Sequence, residues 1–250
     1  MNVSLYQAAA ALNANSRWQE MIAGNLASSS IPGFKKQELS LAAVRAGLMP
    51  SSGLNSSNLP QFFTLPKATS STSFLPGDMQ PTGNKTDVAI DGKGFFSVQL
   101  PNGSTVLTRD GEFQVNAKGQ LVTKEGYTVL GDSGPINLDL SNTAPMSISA
   151  TGDVSQGAQE QGKLKISEFD KPELLTQISG AYFLPNNPNL LSKPSTSTLR
   201  QGYLEGSNTS VVGEMANMMT AMRSFEANQH IIQIQDDRLG KTISDLGNPT

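Results

Sequence analysis

The sequence has no cysteine and a single histidine, His230, among its 250 residues. Without thiols the chain cannot form disulfides, use a thiolate nucleophile, or hold zinc or iron–sulfur clusters through cysteine. A lone imidazole also excludes metal sites built from several histidines. We therefore expect no cofactor and no metal, and much of the side-chain chemistry of enzymes is excluded from the outset.

Charge and long apolar runs are also scarce. Charged residues make up 16% of the chain and the net charge is −3, so the basic face that nucleic acids require is not expected. No window approaches the roughly 20 apolar residues of a membrane span. The first fifteen residues carry no Lys or Arg, and their longest apolar run is Ala8–Leu12. A cleavable secretory signal needs a basic start and a longer apolar run. The sequence thus predicts no nucleic-acid partner, no membrane insertion, and either a cytosolic location or export that leaves the N-terminus intact.

The N-terminal segment, from Met1 to about Ala27, is typical of one amphipathic helix. Alanines at 8–11 favour helix, and Pro32-Gly33 follows as a stop signal. A narrow stripe recurs at steps of three and four: Leu5, Ala8, Leu12, Asn15, Gln19, Ile22 and Leu26.

The C-terminal segment, from about Ser210 to Leu246, predicts a second, longer helix with a 3.5-residue repeat. Ser207 or Asn208 is expected to cap it, with Glu214 in the first turn and Gly247 at the end. A repeat sustained over five heptads is typical of a coiled coil. The stripe consists of Val211, Met215, Met218, Met222, Phe225, Gln229, Ile232, Asp236, Leu239, Ile243 and Leu246.

The centre of the chain is typical of a β-structure made of hairpins. Asn102-Gly103 separates two strand-like runs, which is a strong hairpin signal. A turn through Lys118-Gly119 repeats the pattern, and Lys124-Glu125-Gly126 leads into another run. Residues 46–82 are rich in Ser, Thr and Pro without a clear period, and we expect an extended linker there.

The expected fold class is α+β, with long N- and C-terminal helices that pair as a coiled coil and flank a central all-β domain. The expected domains are 1–45 together with 206–250 for helical assembly, 46–82 for the linker, and 83–205 for the β-rich centre. Because each helix has only a narrow apolar stripe, the two are expected to pair with each other and with helices of neighbouring copies. We hypothesise that the residues of this assembly interface are Leu5, Leu12, Ile22, Leu26, Val211, Met215, Met218, Met222, Phe225, Ile232, Leu239 and Ile243.

Candidate catalytic groups are few. Asp87, Asp91, Asp110 and Glu112 lie close in sequence and resemble the paired carboxylates of a glycoside hydrolase. Asp91 and Asp110 are each followed by glycine, however, and Asp-Gly is a common turn dipeptide. No nucleophile motif accompanies His230, so we expect an ordinary surface histidine. The four methionines between 215 and 222 indicate an interface, either a promiscuous groove or adaptable packing.

Three ordered segments resemble the axial proteins of the bacterial flagellum, above all the basal-body rod proteins. The first contains Asn25 and Leu26, then Pro32, Gly33, Phe34 and Lys35. The second contains Asp87, Asp91, Gly92, Gly94 and Phe95, followed by Thr108, Arg109, Asp110 and Gly111. The third contains Leu204, Glu205, Gly206, Ser207 and Asn208, then Glu214 and Arg223 to Asn228. Ser28 stands where the family usually has Asn.

The resemblance implies a structural subunit of the rod and no enzyme. It implies export through the flagellar type III apparatus without a cleaved signal, and helical assembly with copies of itself and with other rod and hook proteins. The product would be the hollow drive shaft that crosses the periplasm, transmits torque to the hook and passes exported subunits. The length fits the proximal-rod and distal-rod types, with a slight preference for proximal.

Two other classes stay open at this point. Another polymerising secreted β-rich protein, hook-like or phage-tail-like, would share the helical repeat but is not expected to carry all three segments in order. A wall hydrolase would place a carboxylate pair in a cleft.

Overall fold

The computed structural model describes residues 3–48, 62–185, 193–194 and 196–247. It contains helices α1 (Val3–Ala27) and α2 (Val211–Gly247) and a short 3-10 helix at Pro172–Leu174. The strands are β1 (Gln37–Leu48), β2 (Phe62–Thr72), β3 (Met79–Pro81), β4 (Val88–Asp91), β5 (Phe95–Gln99), β6 (Thr105–Thr108), β7 (Phe113–Val115), β8 (Leu121–Thr123), β9 (Thr128–Gly131), β10 (Gly134–Pro135), β11 (Met146–Ile148), β12 (Asp153–Gln156), β13 (Gln159–Lys163), β14 (Ile166–Glu168), β15 (Leu175–Ser179), β16 (Tyr182–Pro185), β17 (Lys193–Pro194), β18 (Thr198–Gln201) and β19 (Tyr203–Glu205).

The α+β class and both terminal helices are confirmed. Helix α1 ends at Ala27, where a turn through the serines leads to Gly33 with a φ of 67°. Helix α2 has 37 residues and Glu214 in its first turn, where a carboxylate meets the positive end of the helix dipole. Within the described residues, neither helix is both long and apolar enough to cross a membrane.

The predicted cap of α2 is wrong. The helix begins at Val211, so neither Ser207 nor Asn208 stands at its N-cap position. The Ser207 hydroxyl accepts a hydrogen bond from the Thr209 amide at 3.1 Å. The side chain of Asn208 is engaged with the backbone at positions 36, 73 and 75. Both residues therefore shape the loop before the helix.

The predicted hairpins are confirmed. Strands β5 and β6 pair antiparallel across Asn102-Gly103, with Gln99 opposite Thr105, and β7 pairs with β8 across Lys118-Gly119. Both belong to a ten-stranded sheet whose main order is β15-β16-β6-β5-β9-β8-β7, with β10, β14 and β17 attached at its side.

Strand β5 is buried on both faces. Its successive side chains point in opposite directions, and an apolar core lies on each side. Phe96 and Val98 enter one apolar core, together with Phe113 and Val129. Phe95 enters a second core. The other buried members of that second core are Leu107, Phe169, Leu175 and Phe183. Burial on both faces explains why this run reads as continuous apolar sequence rather than alternation.

The expected linker at 46–82 is wrong in its described part. Strands β1 and β2 form a two-stranded sheet, and β3 pairs with β19. The segment contains Phe62, Phe63 and several threonines, which suit a pleated strand, and Pro66 is tolerated because both strands of a two-stranded sheet are edges. The average composition of the segment, rich in Ser, Thr and Pro, does not reveal these strands. Positions 49–61 lie outside the described residues.

The chain divides into two compact units whose limits differ from the expected domains. A helical unit contains Met1–Leu26, Gln37–Ser71 and Val211–Thr250, which brings the β1–β2 hairpin together with both helices. A β-rich unit contains Ala27–Lys36 and Thr72–Ser210. The turn after α1, including Gly33 and Phe34, thus folds with the β-rich unit, although the sequence suggested that it belongs with the helices.

Candidate functional site

Parts of the three motif segments converge inside the β-rich unit. The Gly33 amide donates to the Glu205 carbonyl at 2.7 Å, which joins the first segment to the third. A Cβ added at Gly33 would lie 2.4 Å from the carbonyl carbon of Arg109, so the first segment passes directly over the second. Only glycine permits this approach together with the positive φ of 67°. We call this meeting point, residues 33–35, 109–111 and 205–208, the junction.

A buried group of three charges lies at the centre of the junction. The Lys35 Nζ contacts Glu205 Oε1 at 2.5 Å, and Arg109 Nη1 contacts Glu205 Oε2 at 3.1 Å. The exposed fractions of the three side chains are 0%, 2% and 5% for Lys35, Glu205 and Arg109. The Glu205 carboxylate therefore bridges two cations, Lys35 and Arg109, that are far apart in sequence.

Backbone groups make further hydrogen bonds to this cluster. Lys35 also donates to the Leu75 carbonyl at 2.8 Å, and the Gly77 amide donates to Glu205 Oε1 at 3.0 Å. Arg109 Nη2 donates to the Gly92 carbonyl at 2.8 Å. A buried ion pair is tolerated when such additional bonds satisfy its remaining donors and acceptors. This last bond connects the turn at Gly92 to the junction.

The cluster carries one excess positive charge, because two cations share one carboxylate. Burial lowers the pKa of Lys35, and the charge of Glu205 opposes that shift. Arg109 lies over the ring of Phe95, with Cζ 5.0 Å from the ring centroid, an arrangement that stabilises a cation. Among the described residues, its Nε is a buried nitrogen without a hydrogen-bond partner.

Two asparagines of the motifs act as clamps on the backbone. Asn208 Oδ1 accepts from the Lys36 amide at 2.7 Å, while its Nδ2 donates to the Ser73 carbonyl at 2.8 Å. In the helical unit, Asn25 Oδ1 accepts from the Gln37 amide and its Nδ2 donates to the Gln37 carbonyl, both at 2.9 Å. Each asparagine thus replaces a strand partner with its side-chain amide.

The remaining motif residues hold turns and close packing. A Cβ at Gly111 would lie 1.7 Å from the Val88 carbonyl oxygen, so this position excludes larger residues. The Gly94 amide donates to the Ser197 hydroxyl at 3.3 Å, and the Gly206 amide donates to the Asp78 carbonyl at 2.8 Å. Phe34 is buried, whereas Pro32 is half-buried.

The four carboxylates considered for hydrolysis all have structural partners. Asp87 accepts from Asn84 Nδ2 at 3.1 Å, and Asp91 pairs with Arg200 at 2.8 Å. Glu112 pairs with Lys124 at 3.3 Å. Within the part of the chain that the structure describes, no group of three or more acidic or imidazole side chains could hold a metal ion.

Asp110 is the carboxylate with the most perturbed titration. Its side chain is 8% exposed and accepts from the Glu112 amide at 2.9 Å. Burial raises its pKa to about 7, helped by the nearby charges of Glu112 and Glu125. The bond from the Glu112 amide is that of an Asx turn. Asp110 therefore serves the turn predicted from its sequence.

The structure shields the predicted stripe of α1. Ile22 is fully buried, Ala8 is buried, and Leu12 and Leu26 are half-buried. Leu5 lies within α1, but its side chain lies outside the described ones. The polar Asn15 on this stripe is also buried.

On α2 the shielded side differs from the predicted stripe. Reduced exposure recurs at steps of four and three at Glu214, Met218, Ala221, Phe225, Asn228, Ile232 and Gln235. Only Met218, Phe225 and Ile232 of the predicted interface lie on this side. The others are 41% to 70% exposed, namely Val211, Met215, Met222, Leu239 and Ile243. We call these five residues the open stripe. Met215, Met222 and Ile243 lie beside the shielded side of α2, whereas Val211 and Leu239 continue its spacing before Glu214 and after Gln235, where the helix is exposed.

Sequence reasoning missed the ionic cluster. Lys35 and Arg109 were recognised only as parts of motifs, and no role was assigned to either. Their signal is local, because Lys35 follows buried Phe34 and Arg109 follows the buried strand β6. A charge directly beside a buried run suggests a buried ion pair, but its partner cannot be found without the topology.

Comparisons with known proteins match two parts of the chain to family models. Residues 89–156 match the family model described as flagellar hook protein FlgE/F/G D1 domain. Residues 200–245 match the model described as flagellar basal body rod FlgEFG protein C-terminal. The first match includes Arg109 and the second includes Glu205.

Whole-length relatives are flagellar basal-body rod proteins of two names. The chain is 33% identical to FlgF of Escherichia coli over 253 residues, covering 96% of this chain and 97% of the relative. It is 31% identical to FlgF of Mesorhizobium japonicum over 252 residues, with 99% of both chains covered. It is 34% identical over 261 residues to FlgG of Buchnera aphidicola subsp. Schizaphis graminum, covering 95% and 97%.

Proposed function

The chain belongs to the flagellar basal-body rod proteins, which are structural and not enzymatic, and we propose that it polymerises through the open stripe of α2. As a rod subunit of the basal body it assembles with other rod and hook proteins. The finer proposal is a helical assembly in which α1 and α2 pair as a coiled coil, within one subunit or between neighbours. The product is a hollow shaft that transmits torque and passes exported subunits.

The single observation that carries the proposal is the exposure of the open stripe. Val211, Met215, Met222, Leu239 and Ile243 are apolar and outward-facing on one long helix. An isolated helix of this kind gains most of its stability from packing, and exposed apolar side chains repeated along one helix suit an interaction site. A helix from a neighbouring copy fits a 3.5-residue repeat.

Such contacts have a direct geometric consequence. If the open stripe of one copy meets a different surface on the next, the contact is heterologous, and when it does not close into a ring it generates a filament. Torque is then shared among many repeated interfaces. In this arrangement we assign lateral contacts and the diameter of the shaft to hairpins of the β-rich unit.

The test replaces one residue of the open stripe with a charge. Met222 is 51% exposed, so Met222→Asp leaves the free chain folded but buries an unpaired charge at every repeat of the assembly. We expect loss of rods in purified basal bodies seen by electron microscopy, and loss of motility, in a strain whose only copy is the variant. Export of the variant is measured separately by its amount outside the cytoplasm.

Thr220→Asp is the matched control. Thr220 is also exposed and lies two residues away, about 200° around the helix. Threonine and aspartate have similar helix propensities. We expect rods and motility to survive this change. Normal rods with Met222→Asp would contradict the proposed interface, as would equal loss of rods with both variants.

We propose further that the subunit leaves the cytoplasm through the flagellar type III export apparatus, which the family resemblance supports. Its rod position stays a prediction, with the preference for proximal over distal, and relatives named FlgF and FlgG match at similar identity. The wall-hydrolase alternative is not favoured, because Asp87, Asp91 and Glu112 are each engaged with a neighbouring side chain.

A further inference from the structure

Helix α2 concentrates thioether side chains on its outward side. Four of the nine methionines of the chain fall within the eight residues 215–222. Met215, Met219 and Met222 are 52%, 56% and 51% exposed, whereas Met218 is half-buried. Met146, in the core of the β-rich unit, is only 8% exposed. The same chain thus holds an exposed group of methionines and a buried internal reference.

Exposure decides how fast a thioether is oxidised. Hydrogen peroxide transfers one oxygen to the methionine sulfur, so the O–O bond breaks, an S–O bond forms, and water leaves. The sulfur loses two electrons and the peroxide gains them. Oxidation by peroxides yields methionine sulfoxide, which the methionine sulfoxide reductases convert back. The reaction needs access to the sulfur and no catalytic residue.

We propose that Met215, Met219 and Met222 form a reversible oxidation site that controls assembly of α2. The proposal rests on the function proposed above, because Met215 and Met222 belong to the open stripe. Met219 lies beside that stripe, four residues after Met215 and so on the same side of the helix. Oxidation acts on the free subunit, and assembly removes the sulfurs from solvent.

The physical effect of oxidation is a gain of polarity, because the sulfur acquires an oxygen atom. Methionine is flexible and apolar and fits irregular interfaces. A sulfoxide adds a strong hydrogen-bond acceptor, and burying such a group without a donor is unfavourable. Three such groups within eight residues oppose docking at every repeat of the polymer. The free chain keeps its fold, since these three side chains contribute little buried surface.

The first experiment maps oxidation in the purified full-length chain before assembly. The chain is treated with hydrogen peroxide, and sulfoxides are quantified by peptide mass spectrometry over time. We expect Met215, Met219 and Met222 to react at least about tenfold faster than Met146, which must await opening of the core. Equal rates at all four positions would overturn the proposal.

The second experiment links oxidation to assembly. Cells that carry wild-type chain or the variant Met215→Leu/Met219→Leu/Met222→Leu are exposed to peroxide while new rods form. Leucine keeps nearly the same volume and cannot be oxidised. We expect wild-type cells to lose new rods and the leucine variant to keep them. In a purified sample, a sulfoxide reductase should restore self-association of the oxidised chain.

The outcomes separate this proposal from the proposed function. If peroxide stops rod formation equally in both strains, or in neither, the oxidation site is refuted while the open stripe stands. If Met222→Asp still forms rods, the assembly surface itself is refuted. Should the triple leucine variant fail to assemble untreated, the three double leucine variants are compared instead, and rod formation as sensitive to peroxide as in wild type in every one that assembles counts against the proposal.

Discussion

The two units of the chain handle charged and apolar side chains in opposite ways. In the β-rich unit, Lys35, Arg109 and Glu205 are buried, and a carboxylate joins the two cations. In the helical unit, Met222 and Ile243 of α2 are 51% and 70% exposed. The β-rich unit thus buries a cluster of charges, while the long helix exposes apolar side chains to solvent.

This difference indicates where each unit obtains its stability. The β-rich unit buries its apolar cores within one chain, and hydrogen bonds within the unit join its buried charges. Helix α2 has a shielded side and an open stripe, and an exposed apolar stripe lowers the free energy only when another surface covers it. The first unit therefore obtains stability from its own cores, and the assembly proposed above would bury the open stripe of the second.

The largest effect is expected from removing the shared carboxylate. Glu205→Ala leaves Lys35 and Arg109 buried without their counter-charge, and breaking a buried pair in this way costs about 3–5 kcal/mol. We expect a decrease of that size in the free energy of unfolding of the β-rich unit. Urea unfolding is followed by near-ultraviolet circular dichroism, which reports the edge-to-face pair of Tyr127 and Tyr182.

An exposed ion pair provides the control for Glu205→Ala. Lys193 and Asp170 are 2.7 Å apart, but both side chains are more than half exposed, and such pairs contribute at most about 1 kcal/mol. Asp170→Asn should therefore change the unfolding free energy far less. If both variants lower it equally, the buried cluster does not stabilise the junction.

A smaller, pH-dependent effect is expected at Asp110. Its pKa is raised from 3.8 to about 7 in the folded chain, mainly by burial, so the folded state binds the proton more tightly than the unfolded state. The resulting stabilisation is complete below pH 3.8 and is lost as the pH rises through 7. Between pH 5 and pH 8 this group should lower the unfolding free energy by about 3 kcal/mol.

Asp110→Asn isolates that contribution. The amide oxygen can still accept from the Glu112 amide, but the residue no longer titrates. We expect the variant to show a weaker decrease in unfolding free energy between pH 5 and pH 8 than the wild type. Identical pH dependence in the two chains would mean that Asp110 is ionised in the folded state at pH 5.

In the helical unit, the expected internal stabilisation comes from Asn25. Asn25→Ala removes two hydrogen bonds to the backbone of Gln37, each of which contributes about 0.5–1.5 kcal/mol. Fluorescence of Trp18, on α1, reports urea unfolding of this unit. Asn13→Ala on the exposed side of the same helix is the control and should not destabilise the unit.

Much of the fold was predictable because its signals are local. The hairpin at Asn102-Gly103 and the two terminal helices follow from turn chemistry and helical periodicity, and the structure confirms them. The β1–β2 hairpin was missed because residues 46–82 were judged by average composition. Strand pairing there depends on a partner, β1, that sequence periodicity does not reveal.

The candidate site was only half predictable for a related reason. The motif residues Gly33, Asp110 and Glu205 could be singled out, but their convergence depends on contacts between distant parts of the chain. The division of α2 into a shielded side and the open stripe was equally hidden. A 3.5-residue repeat identifies apolar positions. The side of α2 that the chain shields also includes Ala221 and Glu214, which carry little or no apolar signal.

The smallest effect is expected where the contrast between the units is sharpest. In the isolated chain, Met222→Asp places a charge on a side chain that already faces water, so the unfolding free energy should change by no more than about 0.5 kcal/mol. Trp18 fluorescence during urea unfolding measures this in the unassembled chain. A loss as large as that of Glu205→Ala would mean that the open stripe is already packed within the free subunit. An unchanged free energy together with absent rods would place the stabilising role of Met222 in the contacts between subunits.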